Sequence, residues 1–356
     1  MTENLQKVLD SFALDRRAVS CELYGCGHIN ETYLAVTESG RRYILQKIND
    51  RTFRNVDALM ENIRLVTEHL RTRTEPDEAV LTLIPTTDGK SWLKNADGCW
   101  RVYDFVENSL CLQLPESPAD FYESAVGFGS FQQRMADFPA ESLYEVLPNF
   151  HNTPDRYRIF HEVLQKDPMG RAKAVEKEIG FYLEREQQMQ TLQKMRESGE
   201  LPLRVTHNDT KLNNVLLDAS TRKALCVIDL DTVMPGLSLY DFGDSIRFGA
   251  ATAAEDEKDL NKVTMSLDLF RIYTRGFLNA CPGLTAQELD MLPMGAKTMT
   301  LECGLRFLTD YLDGDHYFSV HREGQNLDRT RTQIKLVQDM EAKWNQMHRI
   351  VQEERK

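Results

Sequence analysis

Hydrophobic positions in the first hundred residues predict a small antiparallel sheet packed against one main helix. Short runs rich in β-branched and aromatic side chains are separated by turns that contain glycine or aspartate, as is typical of hairpins. One longer stretch, residues 56–71, repeats its apolar side chains at helical spacing and predicts an amphipathic helix. We therefore predict a short leading helix over residues 3–13 and strands over residues 20–24, 29–36, 42–48, 80–85 and 99–106.

Helical periodicity dominates the chain after the predicted sheet. We place a domain boundary there, with a first domain over residues 1–107 and a second domain over residues 108–356. Within the second domain, short apolar runs predict strands over residues 204–206, 215–217 and 224–228. The predicted helices cover residues 118–138, 171–198, 256–280, 286–312 and 328–354, and the second of these is one long charged helix.

Polar side chains at a specific spacing surround these three predicted strands. Asp209 and Asn214 lie in one loop, and Asp229 follows the last strand. A hairpin between the second and third strands would return Asp229 to the side of Asp209. Phosphoryl transfer needs a carboxylate that orients the acceptor hydroxyl, together with an Asn and a second carboxylate that hold Mg²⁺ against the phosphates. We predict these roles for Asp209, Asn214 and Asp229, in that order.

Protein kinases have the same order of groups, as H-R-D-x-x-x-x-N followed by D-F-G. This chain has H-N-D-T-K-L-N-N and then I-D-L-D. An Asp-Phe-Gly at residues 241–243 lies too far beyond Asp209 to supply the metal ligand, so we interpret it as a chance match or a structural helix cap. His207 is expected to brace the loop. Asp231, which lies on the same face as Asp229 if the segment is extended, is predicted to reach a second Mg²⁺ or to brace the loop.

These motifs resemble those of a known family. The pattern H-N-D-x-x-x-x-N, then I-D-x-D, then G-x-x-x-x-D is similar to that of the aminoglycoside phosphotransferase and choline kinase superfamily. The fuller text, HNDTKLNNVLLD with CVIDLDTVMPGLSLYDFGDSIRFGA, more closely resembles the N-acetylhexosamine 1-kinases. The likeness extends to a glycine turn near residue 25 and to ECGLRFLTDYLDGDHYF near residue 302, so it spans most of the chain.

The resemblance implies an α+β, two-lobe, protein-kinase-like fold, with a small antiparallel-sheet N-terminal lobe and a larger, mainly helical C-terminal lobe. It also implies an ATP- and Mg²⁺-dependent kinase that phosphorylates the anomeric hydroxyl of N-acetylglucosamine or N-acetylgalactosamine. ATP and a small sugar are then the expected partners. An aminoglycoside, choline or homoserine acceptor is the first alternative, although a cationic acceptor needs carboxylates in its pocket. A nucleotide-binding scaffold without turnover is the second, and a protein kinase is disfavoured because no A-P-E follows the metal-binding Asp.

The glycine turn is the first candidate contact for the nucleotide. Gly25 and Gly27 lie between two predicted strands, where glycine lets backbone N–H groups approach phosphates closely. A hairpin turn without a ligand is the plain alternative. His28 lies in the same turn. It is either a histidine hydrogen-bonded to its own backbone or, as the resemblance implies, a group that faces the acceptor.

Further nucleotide contacts are predicted from the kinase pattern. Lys47 follows the glycine turn on the next strand, where kinases place the lysine that pairs with the phosphates; a solvated edge lysine is the alternative. Glu61 on the following helix is predicted to pair with Lys47, and Glu68 is its competitor. The backbone of Asp104 and Val106, where the chain leaves the sheet, is predicted to bind the adenine edge.

Candidate acceptor contacts lie in the second domain. Lys211 follows the catalytic aspartate and is predicted either to bring positive charge to the transferred phosphoryl group or to be a solvated lysine. Arg306 and Asp310 are one helical turn apart, which predicts a surface ion pair. The resemblance instead implies that Arg306 and Tyr317 line the sugar pocket, as hydrogen-bonding fork and aromatic platform. His151 is a loop histidine that is expected to be exposed unless it approaches the substrate.

Composition and net charge exclude some classes of binding partner. The chain has 356 residues and a formal net charge of −12, which argues against nucleic acid or an anionic membrane. The first residues lack the apolar core of a signal peptide, and no stretch approaches the length of a transmembrane helix. The seven cysteines are scattered without a C-x-x-C pair. We therefore expect reduced thiols in a cytoplasmic protein and no zinc site.

Overall fold

The computed structural model describes residues 1–25, 29–74 and 78–355, and it begins with an antiparallel sheet. Its first elements are α1 (Glu3–Asp10), β1 (Ala18–Leu23), β2 (Glu31–Thr37), β3 (Arg42–Ile48), α2 (Val56–Arg71), β4 (Leu83–Ile84), β5 (Leu93–Asn95) and β6 (Gly98–Asp104). The strand order is β1-β2-β3-β6-β4, and β5 also pairs with β6. All of these pairings are antiparallel, as the sequence predicts.

The two faces of this sheet pack against different helices because side chains alternate along each strand. On one face, Leu45 of β3 and Trp100 of β6 pack with side chains of α1. On the other face, Ile48 and Tyr103 pack with α2 and with Leu230, which belongs to a much later segment. The α2 face is therefore the one that meets the rest of the chain, and any group that acts in a cleft between the two parts must lie on it.

The rest of the chain is mainly helical. None of the helices in the described ranges combines the length and the apolar composition that a membrane crossing requires. The elements are β7 (Ser109–Cys111), α3 (Pro118–Arg134), α4 (Thr153–Lys166), α5 (Glu176–Leu183), α6 (Glu186–Met189), α7 (Thr191–Glu197), β8 (Arg204–Thr206), β9 (Val215–Asp218), β10 (Ala224–Val227), β11 (Met234–Gly236), α8 (Ser238–Gly249), α9 (Leu267–Ala280), α10 (Ala286–Asp313), α11 (Gln325–Ala342) and α12 (Trp344–Glu354).

Two small sheets hold the central loops of this helical part. β8 pairs with β11, and β9 lies between β7 and β10. An apolar cluster surrounds the strands and includes Phe128 of α3, Phe242 of α8 and Phe277 of α9, each fully buried. The antiparallel N-terminal sheet and the helical C-terminal part together confirm the predicted α+β class.

The predicted long helix over residues 171–198 is instead broken into α5, α6 and α7. A single helix would bury Leu183, yet this side chain is 40% exposed whereas Met189 is fully buried. Arg185 lies at the first break and donates two hydrogen bonds of 3.0 Å to Glu341 of α11. The chain changes direction because its buried side chains do not share one helical face.

Further helical boundaries differ from the prediction: α9 begins at Leu267 and not at residue 256. α4 begins in a segment rich in Pro and Asn that predicts a loop; Asn152 caps it by accepting from the Asp155 N–H at 3.1 Å. Pro154 lies in the first turn of α4, where a missing N–H is tolerated. The predicted helix over residues 328–354 is two helices that meet at Lys343, whose ammonium group donates to a backbone carbonyl of the segment before α9.

Candidate active site

Asp209 lies in the loop between β8 and β9, and Asn214 at the end of that loop contacts it directly. The Asn214 amide donates to the Asp209 backbone carbonyl at 2.8 Å and to its carboxylate at 3.1 Å. β10 pairs with β9, and just after β10 the Ile228 N–H donates to the Asn214 carbonyl at 2.9 Å. His207 braces this return through a 2.9 Å hydrogen bond between its Nε2 and the Ile228 carbonyl. The predicted hairpin therefore brings Asp229 to the side of Asp209.

The Asp-Phe-Gly at residues 241–243 is not a chance match. Asp241 lies fully buried in the first turn of α8. Its carboxylate accepts from the backbone N–H of His207 at 2.9 Å and of Asn208 at 2.8 Å, and from the Gln132 amide at 2.7 Å. The motif is therefore structural, but it is not the predicted helix cap: α8 has no side-chain cap among the described residues, and Asp241 instead holds the backbone of the loop that carries Asp209.

Asp229 lies among other carboxylates. Burial, together with the negative charges of Asp231 and Asp209, raises the pKa of Asp229 to about 6. In the described ranges no three His, Cys, Asp or Glu side chains form a group that could hold a metal by themselves. Mg²⁺ does not require such a group, because it keeps several waters and binds one or two carboxylates plus substrate phosphates. The excess negative charge around Asp229, with the Asn214 side chain nearby, fits a magnesium site.

Asp231 does not fit as a metal ligand, because both of its oxygens are engaged by protein groups. Arg101 of β6 donates to one oxygen at 2.5 Å, and Asn30 donates to the other at 2.6 Å. The Arg101 and Asp231 side chains are 1% and 3% exposed. Of the two predicted roles for Asp231, a second Mg²⁺ or a brace, the structure supports the brace and corrects the metal prediction.

The predicted phosphate lysine is wrong because Lys47 lies on the α1 face of the sheet. Its ammonium group is 3.7 Å from Glu31 and 5.7 Å from the centre of the Trp100 ring. The adjacent residue, Gln46, occupies the face that meets the rest of the chain. The predicted partner is also wrong: Glu61 accepts from Arg64 at 2.7 Å, within α2.

Two groups of predicted nucleotide contacts remain predictions. Gly25 has a positive φ of +81°, which favours glycine, whereas Gly27 and His28 lie outside the described residues. Where the chain leaves the sheet, the Asp104 carboxylate pairs with Arg41 at 2.6 Å and its backbone N–H donates to the Thr82 carbonyl at 2.9 Å, so both groups are already engaged by the protein. The Val106 carbonyl accepts from a serine hydroxyl at 2.6 Å. Both residues line an open cavity of about 360 Å³.

Lys211 contacts the Asp209 carboxylate. Its ammonium group lies 2.9 Å from Asp209. Burial alone would lower the pKa of Lys211, but the charge of Asp209 and the hydrogen bond to it raise the pKa above its ordinary value. The lysine therefore stays charged beside Asp209, and of the two predicted roles the one in the active site is the better supported.

Arg306 and Tyr317 contact each other, and their predicted place in a sugar pocket remains a prediction. The guanidinium group donates to the Tyr317 hydroxyl at 3.0 Å and is 5.5 Å from the ring centre of Phe150. The predicted ion pair with Asp310 is absent from the described hydrogen bonds and ion pairs. Asp310 instead accepts from the backbone N–H groups of residues 316–318, at 2.8 to 3.0 Å, and so positions the segment that carries Tyr317.

His151, predicted to be exposed, has a side chain only 7% exposed. Its Nδ1 lies 2.9 Å from Glu302 of α10, and its Nε2 has no hydrogen-bond partner among the described residues. His151 lines a cavity of about 290 Å³ with Phe150, Tyr240 and Asn208, the residue before the catalytic aspartate. This buried histidine therefore has an unpaired nitrogen beside a cavity that adjoins the loop of Asp209.

Two residues that contact the predicted site residues belong to no sequence motif that would indicate their role. Arg101 and Glu302 sit in apolar strand and helix patterns, and each pairs with a residue more than a hundred positions away. Asp241 did have a signal, because it is the final Asp of the G-x-x-x-x-D pattern that begins at Gly236.

Comparison with known proteins identifies the fold. A family model described as "phosphotransferase enzyme family" matches residues 20–262. An aminoglycoside phosphotransferase from Alicyclobacillus acidocaldarius aligns with a TM-score of 0.65 at 13% identity, over 98% of this chain and 96% of that one. A choline kinase from Cryptosporidium parvum gives 0.62 at 12%, over 99% of both chains. A microcompartment-associated aminopropanol kinase gives 0.57 at 18%, over 97% of this chain and 98% of that one. These alignments confirm the two-lobe, protein-kinase-like fold.

Proposed function

Because the chain belongs to the phosphotransferase enzyme family, we propose that it is a small-molecule kinase that uses ATP and Mg²⁺. The proposed acceptor is the anomeric hydroxyl of N-acetylglucosamine or N-acetylgalactosamine, and the products are the sugar 1-phosphate and ADP. The observation that carries the proposal is the meeting of Asp209, Asn214 and Asp229 at one place. A nucleotide between the residues 1–107 and 108–356 lobes would reach all three.

In the proposed reaction, Asp209 orients the acceptor hydroxyl and takes its proton as the bond to phosphorus forms. An anomeric hydroxyl is more acidic than an ordinary alcohol, so a carboxylate of ordinary basicity is sufficient. Lys211, held 2.9 Å from Asp209, places positive charge where negative charge spreads over the transferred group. Asn214 and Asp229 would hold Mg²⁺, which supplies neutralising charge for the phosphates.

The acceptor side of the site supports a neutral, hydroxyl-rich molecule. Arg306 is surrounded by the rings of Phe150, Tyr317 and Phe318, at 5.4 to 5.5 Å from each centre. A guanidinium fork suits vicinal hydroxyls or an N-acetyl carbonyl, and aromatic rings suit the apolar face of a pyranose. His151 adds an unpaired nitrogen near this group.

Amine-bearing acceptors, such as those named for the structural relatives, are the main alternative within the fold. A cationic acceptor needs uncompensated carboxylates. Here the buried Glu302 is already paired with His151, and the positive charges of Arg156 and Arg306 also act on it. These positive charges disfavour a further cation beside Glu302.

The proposed acceptor is tested by incubating the purified protein with ATP, Mg²⁺ and one candidate alcohol at a time. The panel contains both N-acetylhexosamines, glucose, an aminoglycoside and choline, and ³¹P NMR identifies the phosphorylated product. We expect an anomeric phosphate from the N-acetylhexosamines. Phosphorylation of the aminoglycoside or choline alone would replace the acceptor assignment while keeping the kinase, and no product from any alcohol would remove both.

A further inference from the structure

On β3, the side chain that lies on the α2 face, next to Arg101, belongs to Gln46. Protein kinases place a lysine on their third strand, paired with a helix glutamate, against the nucleotide phosphates. Here Gln46 lies on the α2 face, where its amide donates to Thr32 at 3.1 Å and its carbonyl accepts from Arg101 at 2.9 Å. Lys47, on the opposite face, cannot take the place of that lysine without inverting the register of β3.

Arg101 places a positive charge on the α2 face of the sheet, beside Gln46. Paired with Gln46 across β3 and β6, it is fully buried, and its guanidinium group lies 3.9 Å from the Met60 sulfur on α2. The same group donates to Asp231 at 2.5 Å. Asp231 follows Asp229 by two residues, so Arg101 contacts the segment that carries the proposed metal ligand.

Asp231 also connects that segment to the residue just before β2. Its second oxygen accepts from the Asn30 amide at 2.6 Å, and Asn30 in turn accepts from the Asn49 N–H at 3.0 Å. Asn30 follows the glycine turn, and Asn49 follows β3. One buried carboxylate therefore links β6, through Arg101, and the start of β2, through Asn30, to the segment that carries Asp229.

We propose that Arg101 is a positioning residue: through Asp231 it holds Asp229 in the orientation that binds the metal–nucleotide complex. It takes the structural place of the kinase lysine–glutamate pair, with the cation on β6 and the carboxylate after the metal-binding aspartate. Arg101 is too deeply buried to touch the nucleotide, so it acts through its hydrogen bond to Asp231 and through the effect of its charge on Asp229. The proposal rests on phosphotransfer with Mg²⁺ and nucleotide, and it does not depend on which alcohol is the acceptor.

The alternative is a buried ion pair that only stabilises the fold. Binding of ADP with and without Mg²⁺, measured by calorimetry, separates the two roles, because a purely structural pair affects both equally. The informative variant is the double substitution Arg101→Met/Asp231→Leu, which replaces the pair by apolar side chains of similar size and is expected to fold. Thermal unfolding of each variant shows that it is folded before binding is measured.

We expect the folded double variant to bind ADP normally without Mg²⁺ and about tenfold more weakly with it, as loss of a group that orients a metal ligand does. With any alcohol that supports turnover, its kcat should fall about a hundredfold while the KM of the acceptor changes little. Arg101→Lys, which keeps a cation, should lie between wild type and the double variant. A folded double variant with wild-type Mg²⁺–ADP affinity and kcat would overturn the proposal, as would a folded Arg101→Lys variant no better than the double variant.

Two controls remove a cation elsewhere on the same lobe. Lys47→Met tests the residue that sequence pattern favours, and Arg64→Met removes an arginine paired within α2. Both variants should match wild type in Mg²⁺–ADP affinity within about twofold, since neither side chain reaches the metal-binding segment. A tenfold loss in Lys47→Met would assign the role to Lys47 and contradict the proposal.

Discussion

Arg101 donates to Asp231 at 2.5 Å across an interior in which both side chains are almost completely buried. The two residues are 130 positions apart, and their contact joins the N-terminal sheet to the segment that follows Asp229. A buried carboxylate without its partner is costly, because neither water nor another cation can reach it.

This contact predicts a large stability difference between single and double variants. Arg101→Met should lower the free energy of unfolding by about 3–5 kcal/mol, whereas Arg101→Met/Asp231→Leu should be close to wild type, because it leaves no buried charge unpaired. Urea unfolding followed by circular dichroism measures both. Equal losses in the two variants would show that apolar packing around Arg101, and not its charge, stabilises the structure.

Substitution of Asp241 is predicted to slow turnover, although this residue does not touch the substrate. Asp241→Asn replaces one acceptor oxygen by a donor that cannot bond the N–H groups of His207 and Asn208. The loop that carries Asp209 should shift, and kcat should fall about a hundredfold, as a displacement near 1 Å does. Steady-state kinetics against ATP and acceptor measure the change.

The matched control for this variant is Asp268→Asn. Asp268 also lies in the first turn of a helix, α9, but it is exposed. Its replacement should leave kcat unchanged. If Asp241→Asn keeps wild-type kcat while remaining folded, the catalytic loop does not need this support.

Substitution of His151 is predicted to weaken binding of the acceptor but not of ATP. His151→Phe keeps the ring between Phe150 and Tyr240 but removes the unpaired nitrogen. Loss of one hydrogen bond should raise the acceptor KM about tenfold and leave the KM of ATP unchanged. His161→Phe, at an exposed histidine of α4, is the control. Parallel increases in both KM values would place His151 in general packing instead of the acceptor pocket.

Glu288 predicts a pH dependence of stability. Burial alone would raise the pKa of Glu288, but hydrogen bonds from Arg204, Thr285 and Ser238 lower it below its ordinary value of 4.5. Because the unfolded chain then binds the proton more tightly, the charged Glu288 stabilises the fold above that value, and its contribution is lost as the pH falls below it.

Glu288→Gln should therefore be less stable than wild type at pH 7, and the gap should narrow as the pH falls from about 5 to 3. Urea unfolding across that range measures the free energy of unfolding of both proteins. A gap that stays constant with pH would mean that the charge of Glu288 contributes nothing to stability.

The arrangement around Asp209 could be predicted from the sequence because the residues that form it are close together along the chain. Asp209 and Asn214 are five residues apart, and a single hairpin returns Asp229 to them. The strands around these residues also have strong turn signals, so their order and spacing determine where the side chains meet. The same holds for α2, whose apolar spacing predicted both of its ends.

The nucleotide lysine was mispredicted because a shift of one residue along a strand moves a side chain to the other face. Lys47 fits the kinase pattern by its place on the strand after the glycine turn. The apolar neighbours Leu45 and Trp100, which pack with α1, show that its face is the other one. Arg101 and Asp231 had no local pattern at all, since a contact between residues so distant in sequence depends on how the lobes pack together.

The central claim is that Asp209, Asn214 and Asp229 serve one reaction centre. The most direct measurement is a crystal structure with Mn²⁺, a non-hydrolysable ATP analogue and N-acetylglucosamine, with the ion located by anomalous scattering. We predict an ion about 2.1 Å from oxygens of Asn214 and Asp229, and the anomeric hydroxyl about 2.7 Å from the Asp209 carboxylate. An ion held by other residues, or a sugar whose anomeric hydroxyl points away from Asp209, would contradict the claim.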